Sequence, residues 1–180
     1  MVRMGRMGIF AGQVVAALVF LNALPGSPAG AQTPQQINQC VNRGKVNSPD
    51  VQLQACAAVI QSGKWTGKNL AWAYNDRGDA YTDKKDYDQA IAAYNEGIKL
   101  DRDDTFGYSG RCIAHAWKSE FDAAIKDCTQ AIRLKPDFGV ALCWRGLAEQ
   151  ASGQAAAGEV DIGEALKVDS SISCPSGWRP

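Results

Sequence analysis

Six cysteines are the residues in this sequence best equipped for chemistry. Cys40 and Cys56 stand sixteen residues apart, Cys112 and Cys128 repeat that spacing, and Cys143 and Cys174 complete the set. Thiols can hold a metal, attack a substrate or oxidise to disulfides. A structural zinc site gathers its ligands in short C-x2-C or Cys/His clusters, and the sequence carries neither. A nucleophile needs a base beside it. The one histidine, His115, falls on a helix face, where a packed or rim side chain accounts for it. Asp101, Asp103 and Asp104 form an acidic group that reads as a solvated turn rather than an acid/base pair or a calcium site. The run GQAAAGEVDIGEAL (153–166) reads as a loosely packed, glycine-weakened helix rather than a phosphate loop. No catalytic residue, cofactor or metal site is expected, and the chain is not read as an enzyme.

The fate of the thiols depends on compartment. The start MVRMGRMG carries Arg3 and Arg6 and no acid, Ile9 to Leu24 is an unbroken stretch rich in apolar residues, and small residues end in Ala29-Gly30-Ala31. This is the pattern of a secretory signal peptide over residues 1–31. The apolar run is shorter than the ~20 residues of a spanning helix, although an uncleaved anchor is the competing reading. Removing Arg3 and Arg6 from a balance of 19 basic and 19 acidic residues leaves a formal charge of −2. Such a chain has no basic field for nucleic acid and none for a membrane after cleavage. An exported protein, periplasmic or secreted, can keep disulfides.

The elements that would position the cysteines repeat. Shifted by 34 residues, Gly78 meets Cys112 and Gly146; Arg77 meets Arg111 and Arg145; Ala90 meets Ala124 and Gly158; Tyr94 meets Cys128 and Ile162; Leu100 meets Leu134 and Val168. The units are 71–104, 105–138 and 139–172. Each reads as two helices joined by a short polar turn, such as Lys84-Lys85-Asp86, with apolar residues at helical spacing. A hairpin of this kind cannot bury its apolar face by itself, so units must stack.

Period and motif together resemble the tetratricopeptide repeat. Tyr74, Gly78, Tyr81, Ala90 and Tyr94 match the family pattern in the first unit, Tyr108, Ala124 and Pro136 in the second, and Gly146 in a degenerate third. The resemblance implies an all-α, right-handed solenoid of antiparallel helix hairpins, and a Gram-negative periplasm as its setting. Overlaying Cys40–Cys56 on Cys112–Cys128 brings Ile60 onto Ile132. Segment 32–70 then reads as a divergent hairpin and loop, with helices near 34–45 and 50–62 and Ser48-Pro49-Asp50 as turn and N-cap. Residues 173–180 form a tail.

In this register one cysteine of each pair lies on a first helix and the other faces it from the second. Packed helices about 8–10 Å apart bring facing Cα atoms within roughly 4–5.5 Å, inside the range a disulfide needs. Disulfides Cys40–Cys56 and Cys112–Cys128 are expected, with Cys143–Cys174 joining the tail to the last unit. The competing reading is small buried thiols at crowded helix contacts.

In tetratricopeptide repeat proteins the first helices of successive units line a concave groove. Carried over by register, that face holds Trp72, Asn75, Asp79 and Thr82, then Phe106, Ser109, Ile113 and Trp117, then Val140, Leu147 and Gln150. It is aromatic and apolar. Chaperone-binding members of the family hold a C-terminal carboxylate in a clamp of Lys, Arg and Asn, and Asp79 opposes that use here. Arg77, Arg111 and Arg145 are expected to lay their stems over the hairpins and reach a carboxylate or helix end, the alternative being a ladder for an acidic partner. The expected function is a non-catalytic adaptor binding a protein or peptide in the groove. Self-covering by the N-terminal hairpin or by the tail, with Trp178 in the groove, competes with that. So does a structural subunit forming a homo-oligomer through its terminal repeat.

Overall fold

The computed structural model describes residues 33–172 together with 174, 175 and 178; the expected signal peptide lies outside them. The described residues form eight α-helices: α1 Pro34–Val41, α2 Pro49–Gln61, α3 Ala71–Asp83, α4 Tyr87–Leu100, α5 Thr105–Trp117, α6 Phe121–Leu134, α7 Gly139–Ala151 and α8 Ala155–Val168. They stack as four antiparallel hairpins in an all-α solenoid. A 3-10 turn at Gly67–Leu70 fills the loop between the first two hairpins.

Local chemistry sets the helix ends. Thr33 and Gln36 form a reciprocal capping box on α1. Ser48 caps α2, with Pro49 in the first turn where its missing N–H costs nothing. Asp86 caps α4, and the Asp104 carboxylate accepts from the amides of Phe106 and Gly107 at the start of α5. Within the three later hairpins the turn recurs. The amides of Asp86, Glu120 and Gln154 donate to the carbonyls of Tyr81, His115 and Glu149. The preceding residues, Lys85, Ser119 and Gly153, all take positive φ. Glycine occupies that left-handed position in the last turn alone, so the first two hold a less favourable backbone against tertiary packing.

The core is built from small residues. Ala80, Ala114 and Ala148 are fully buried on the first helices, and Ala90, Ala124, Ala131 and Ala165 face them from the second. Where four hairpins place a residue of α1, α3, α5 or α7 against its partner helix, the solutions alternate. Cys40 meets Cys56 with Cα atoms 4.6 Å apart, and Cys112 meets Cys128 at 5.4 Å, both at disulfide distance. Between them, Gly78 leaves room for the Tyr94 ring, which would stand 2.6 Å from an added Cβ. In the last hairpin Gly146 leaves the same room for Ile162. Cysteine pairs and glycine–bulky pairs are thus alternative fillings of one volume, and the sixteen-residue spacing is the spacing of that contact. Cys143 and Cys174 also stand at disulfide distance, with Cα atoms 5.8 Å apart.

Two expectations are corrected. α1 ends at Val41, not near residue 45, because Asn42 turns left-handed (φ 43°) and its side chain knits the loop through the Asn47 amide and Gln52. The run 153–166 is not loosely packed. It supplies the regular helix α8, and Gly158 approaches the backbone of Gly146 too closely for any side chain.

Candidate peptide-binding face

α3 packs on α5 and α5 on α7, whereas α2, α4 and α6 reach the next unit chiefly through its first helix. The first helices therefore form one inner layer. Its surface divides in two.

The N-terminal half is a hollow of about 300 Å³ lined by Lys68, Trp72, Asn75, Asp76, Asp79, Asp101, Asp104 and Phe106. Phe106 is 67% exposed and meets Phe138 edge to face. Trp72 is half-buried and meets Trp65 the same way. Asn75 donates to Asp104 at 2.7 Å, which ties α3 to the cap of α5. Asp79 accepts a 2.6 Å hydrogen bond from the Tyr94 hydroxyl. The Asp101 carboxylate pairs with Lys68 at 2.9 Å, and that contact holds it below the usual carboxylate range.

Three carboxylates here, those of Asp76, Asp79 and Asp104, have no Lys or Arg at ion-pair distance among the described residues. Burial pushes Asp76 up to about 7, the neighbouring Asp79 charge adds to the shift, and Arg43 opposes it from beyond contact. Asp79 is raised for the same first reason, with the Tyr94 hydrogen bond and Lys45 pulling down and Asp83 pushing up. The residue is exposed, and it lines the hollow beside Asp76. Burial and the Asp79 charge also raise the Tyr94 phenol well above its ordinary range, so Tyr94 is a hydrogen-bond donor at any physiological pH.

The C-terminal half is aromatic. Trp117 stacks on Tyr87 with ring centroids 6.2 Å apart, and Trp178 of the tail stands edge-on to Trp117, Trp144 and Phe121 at 5.7, 5.6 and 6.4 Å. Of the residues expected to line a groove, the hollow brings together Trp72, Asn75, Asp79 and Phe106. Ile113 is half-buried between the halves. Ser109 and Leu147 are 3% and 7% exposed, so neither presents a surface to a partner, and Trp117 is engaged with the tail.

The structure adds Lys68, Asp76 and Asp104 to the site. Asp76 aligns with Gly110 and Trp144 at the 34-residue shift, so no recurring residue type pointed to it. Asp104 had a signal, an acid just before a helix start, that was read as turn chemistry. The arginines divide as well. Arg111 grips Asp127 with two 2.7 Å bonds and reaches Asn95 at 2.6 Å, and Arg145 grips Asp161 in the same way. Arg77 lies over the Tyr74 ring with its buried Nε unbonded, because Ala93 stands where the other units have the aspartate. His115 bonds Glu120 at 2.6 Å. A larger hollow of about 870 Å³ runs along α1 near Gln35, Ile37, Val41 and Val46 and shares no residue with the inner face.

The tetratricopeptide repeat model matches residues 71–104. The TPR2B domain of yeast Sti1, solved as a complex with pHsp70, is 32% identical, with a TM-score of 0.54 over 57% of this chain and 82% of that one. The second tetratricopeptide domain of human RPAP3, solved with the HSP70 peptide SGPTIEEVD, is 28% identical, with a TM-score of 0.53 over 56% of this chain and 84% of that one. MamA is 20% identical with a TM-score of 0.64 over 75% of this chain and 77% of that one, a likeness of fold. No curated protein matches the chain.

Proposed function

The chain belongs to the tetratricopeptide repeat family, and from that premise we propose that it is a non-catalytic adaptor that binds a protein or peptide segment on its inner face. One observation carries this reading. α3 and α5 present exposed or half-exposed aromatic side chains, Phe106 and Trp72, around a solvent-open hollow in which the carboxylates of Asp76, Asp79 and Asp104 have no lysine or arginine at ion-pair distance among the described residues. Rigid aromatic anchors beside polar groups are what a peptide site needs, and relatives of this fold have been solved with bound peptides. The adaptor acts outside the cytoplasm. Residues 1–31 have the composition of a removable export signal, and three cysteine pairs at disulfide distance suit an oxidising compartment.

The test is cross-linking of the mature protein in its native extract, beside the double variant Trp72→Ser, Phe106→Ser with its helicity checked. A protein captured by the wild type and lost from the variant supports the adaptor. Capture that survives the variant removes the inner face from consideration.

A second reading rests on α8, whose outer side leaves Val160, Leu166 and Val168 exposed. Apolar residues on the last helix of a stack are a surface on which a second copy can continue the solenoid. Sedimentation across a concentration series separates the two: Val160→Lys with Leu166→Lys should abolish any dimer if this surface makes it.

A further inference from the structure

The relatives solved with peptides hold acidic segments, such as SGPTIEEVD. The hollow in this chain has the opposite sign. Asp76, Asp79, Asp101 and Asp104 line it, and Lys68, its one lining cation, is already shared with Asp101 and Asp103 at 2.9 and 3.5 Å. The other three carboxylates are held by a phenol, an amide side chain, backbone amides or nothing at all. Asp79 takes the Tyr94 hydroxyl, Asp104 takes Asn75 and two backbone amides, and Asp76 has no side-chain hydrogen bond among the described residues. An independent feature accompanies the charge: Phe106 stands largely in solvent at the lip, and Trp72 forms part of the wall. An ammonium or guanidinium on an alkyl stem fits that pairing, because aromatic faces attract cations and cover apolar stems.

We propose that the hollow between α3 and the start of α5 binds an extended basic peptide, seating one lysine or arginine side chain with its cation toward Asp76, Asp79 and Asp104 and its stem against Trp72 and Phe106. The proposal rests on the adaptor reading and names the chemistry of the partner. Charge complementarity selects this occupant. An acidic peptide would bring its carboxylates against carboxylates that no cation pairs, whereas a cation favours the charged forms that burial disfavours at Asp76 and Asp79. Specificity then comes from repulsion as much as from attraction.

Fluorescence anisotropy with a short labelled peptide of Lys, Arg, Gly and Ser, and with its counterpart carrying Asp and Glu in place of the cations, tests this directly. The basic peptide should bind and weaken as salt rises, and the acidic one should not bind. Asp76→Asn should weaken the basic peptide about tenfold, the equivalent of roughly 1.4 kcal/mol, with its helical signal unchanged. Phe106→Ser should weaken it further. Equal or tighter binding of the acidic peptide, or basic binding indifferent to both variants, overturns the proposal. An acidic peptide that binds and is lost with Phe106→Ser would leave the adaptor standing and refute only the sign of its partner. No binding of the basic peptide at low salt also refutes it, while the cross-linking result decides the adaptor separately.

Discussion

At the residue scale the hollow holds its carboxylates at a cost. In an unfolded chain Asp76 titrates near its ordinary 3.8, and in the fold near 7. Between those values the folded protein keeps a proton that the unfolded chain has lost, so stability falls as pH rises through that window. Asp79, in the same hollow, supports the shift, and Arg43, in the loop after α1, opposes it. Asp76→Asn should therefore stabilise the protein at pH 8 by about 1–2 kcal/mol, discounted because the hollow is open on one side. The gain should vanish toward about pH 3, below both values, where the carboxyl is neutral in the folded and unfolded chain alike. Urea unfolding at the two pH values decides it, and an equal gain at both would remove burial of charge as the cause. The same substitution is expected to weaken a basic peptide, the exchange of stability for function common at binding sites. None of this could be read from the sequence, because Asp76 occupies a column that is glycine in one unit and tryptophan in the next.

At the element scale the first repeat lacks a bond that the next two have. The pairs Arg111–Asp127 and Arg145–Asp161 clamp first helix to second with partly buried, bidentate geometry. The aligned positions in the first repeat are Arg77 and Ala93, and Ala93 is buried. Ala93→Asp should supply the missing partner. A four-protein cycle with Arg77→Ala should show a favourable coupling of about 1–3 kcal/mol in urea melts. A coupling near zero would mean that Arg77 is committed to the Tyr74 ring and does not respond to the added charge. The arginine column was visible in the sequence at period 34, but its aspartates were not recognised, because the first unit breaks their column. The hairpins themselves were legible from the helical spacing of apolar residues, and so was the cysteine register, since a sixteen-residue step across one tight turn fixes which side chains face. Replacing both Cys112 and Cys128 by Ala should cost about 3 kcal/mol by freeing a loop of that length in the unfolded state. Calorimetry under oxidising conditions checks this, and a loss under about 1 kcal/mol would return the pair to packing alone. The density of α8 escaped the sequence for the converse reason: glycine lowers helix propensity locally, and the close approach of Gly146 and Gly158 that makes it useful is a tertiary fact.

At the scale of the whole molecule the tail decides which part of the inner face is available. Trp178 follows the Cys143–Cys174 contact and lies among Trp117, Phe121 and Trp144, its indole Nε1 buried without a hydrogen bond. A 34-residue comparison cannot place a segment beyond the last repeat, so the sequence left an open groove and a covered one as alternatives. The structure covers the C-terminal half and leaves the acidic hollow open. Trp178→Ala should uncover three large aromatic side chains. We expect brighter binding of a hydrophobic dye, a red shift of the remaining tryptophan emission, and a loss of about 1–3 kcal/mol, less than a fully buried tryptophan would cost. Because the hollow is lined by α3, its neighbouring loops and the start of α5 and shares no residue with the tail's aromatic cluster, the affinity for a basic peptide should stay within about twofold of wild type, a difference near 0.4 kcal/mol. A large gain in affinity would show that the tail competes for the same surface, and the two halves would then be one groove with an internal ligand. Unchanged affinity with increased dye binding would mean that the solenoid buries its aromatic end for stability and keeps its acidic end for recognition.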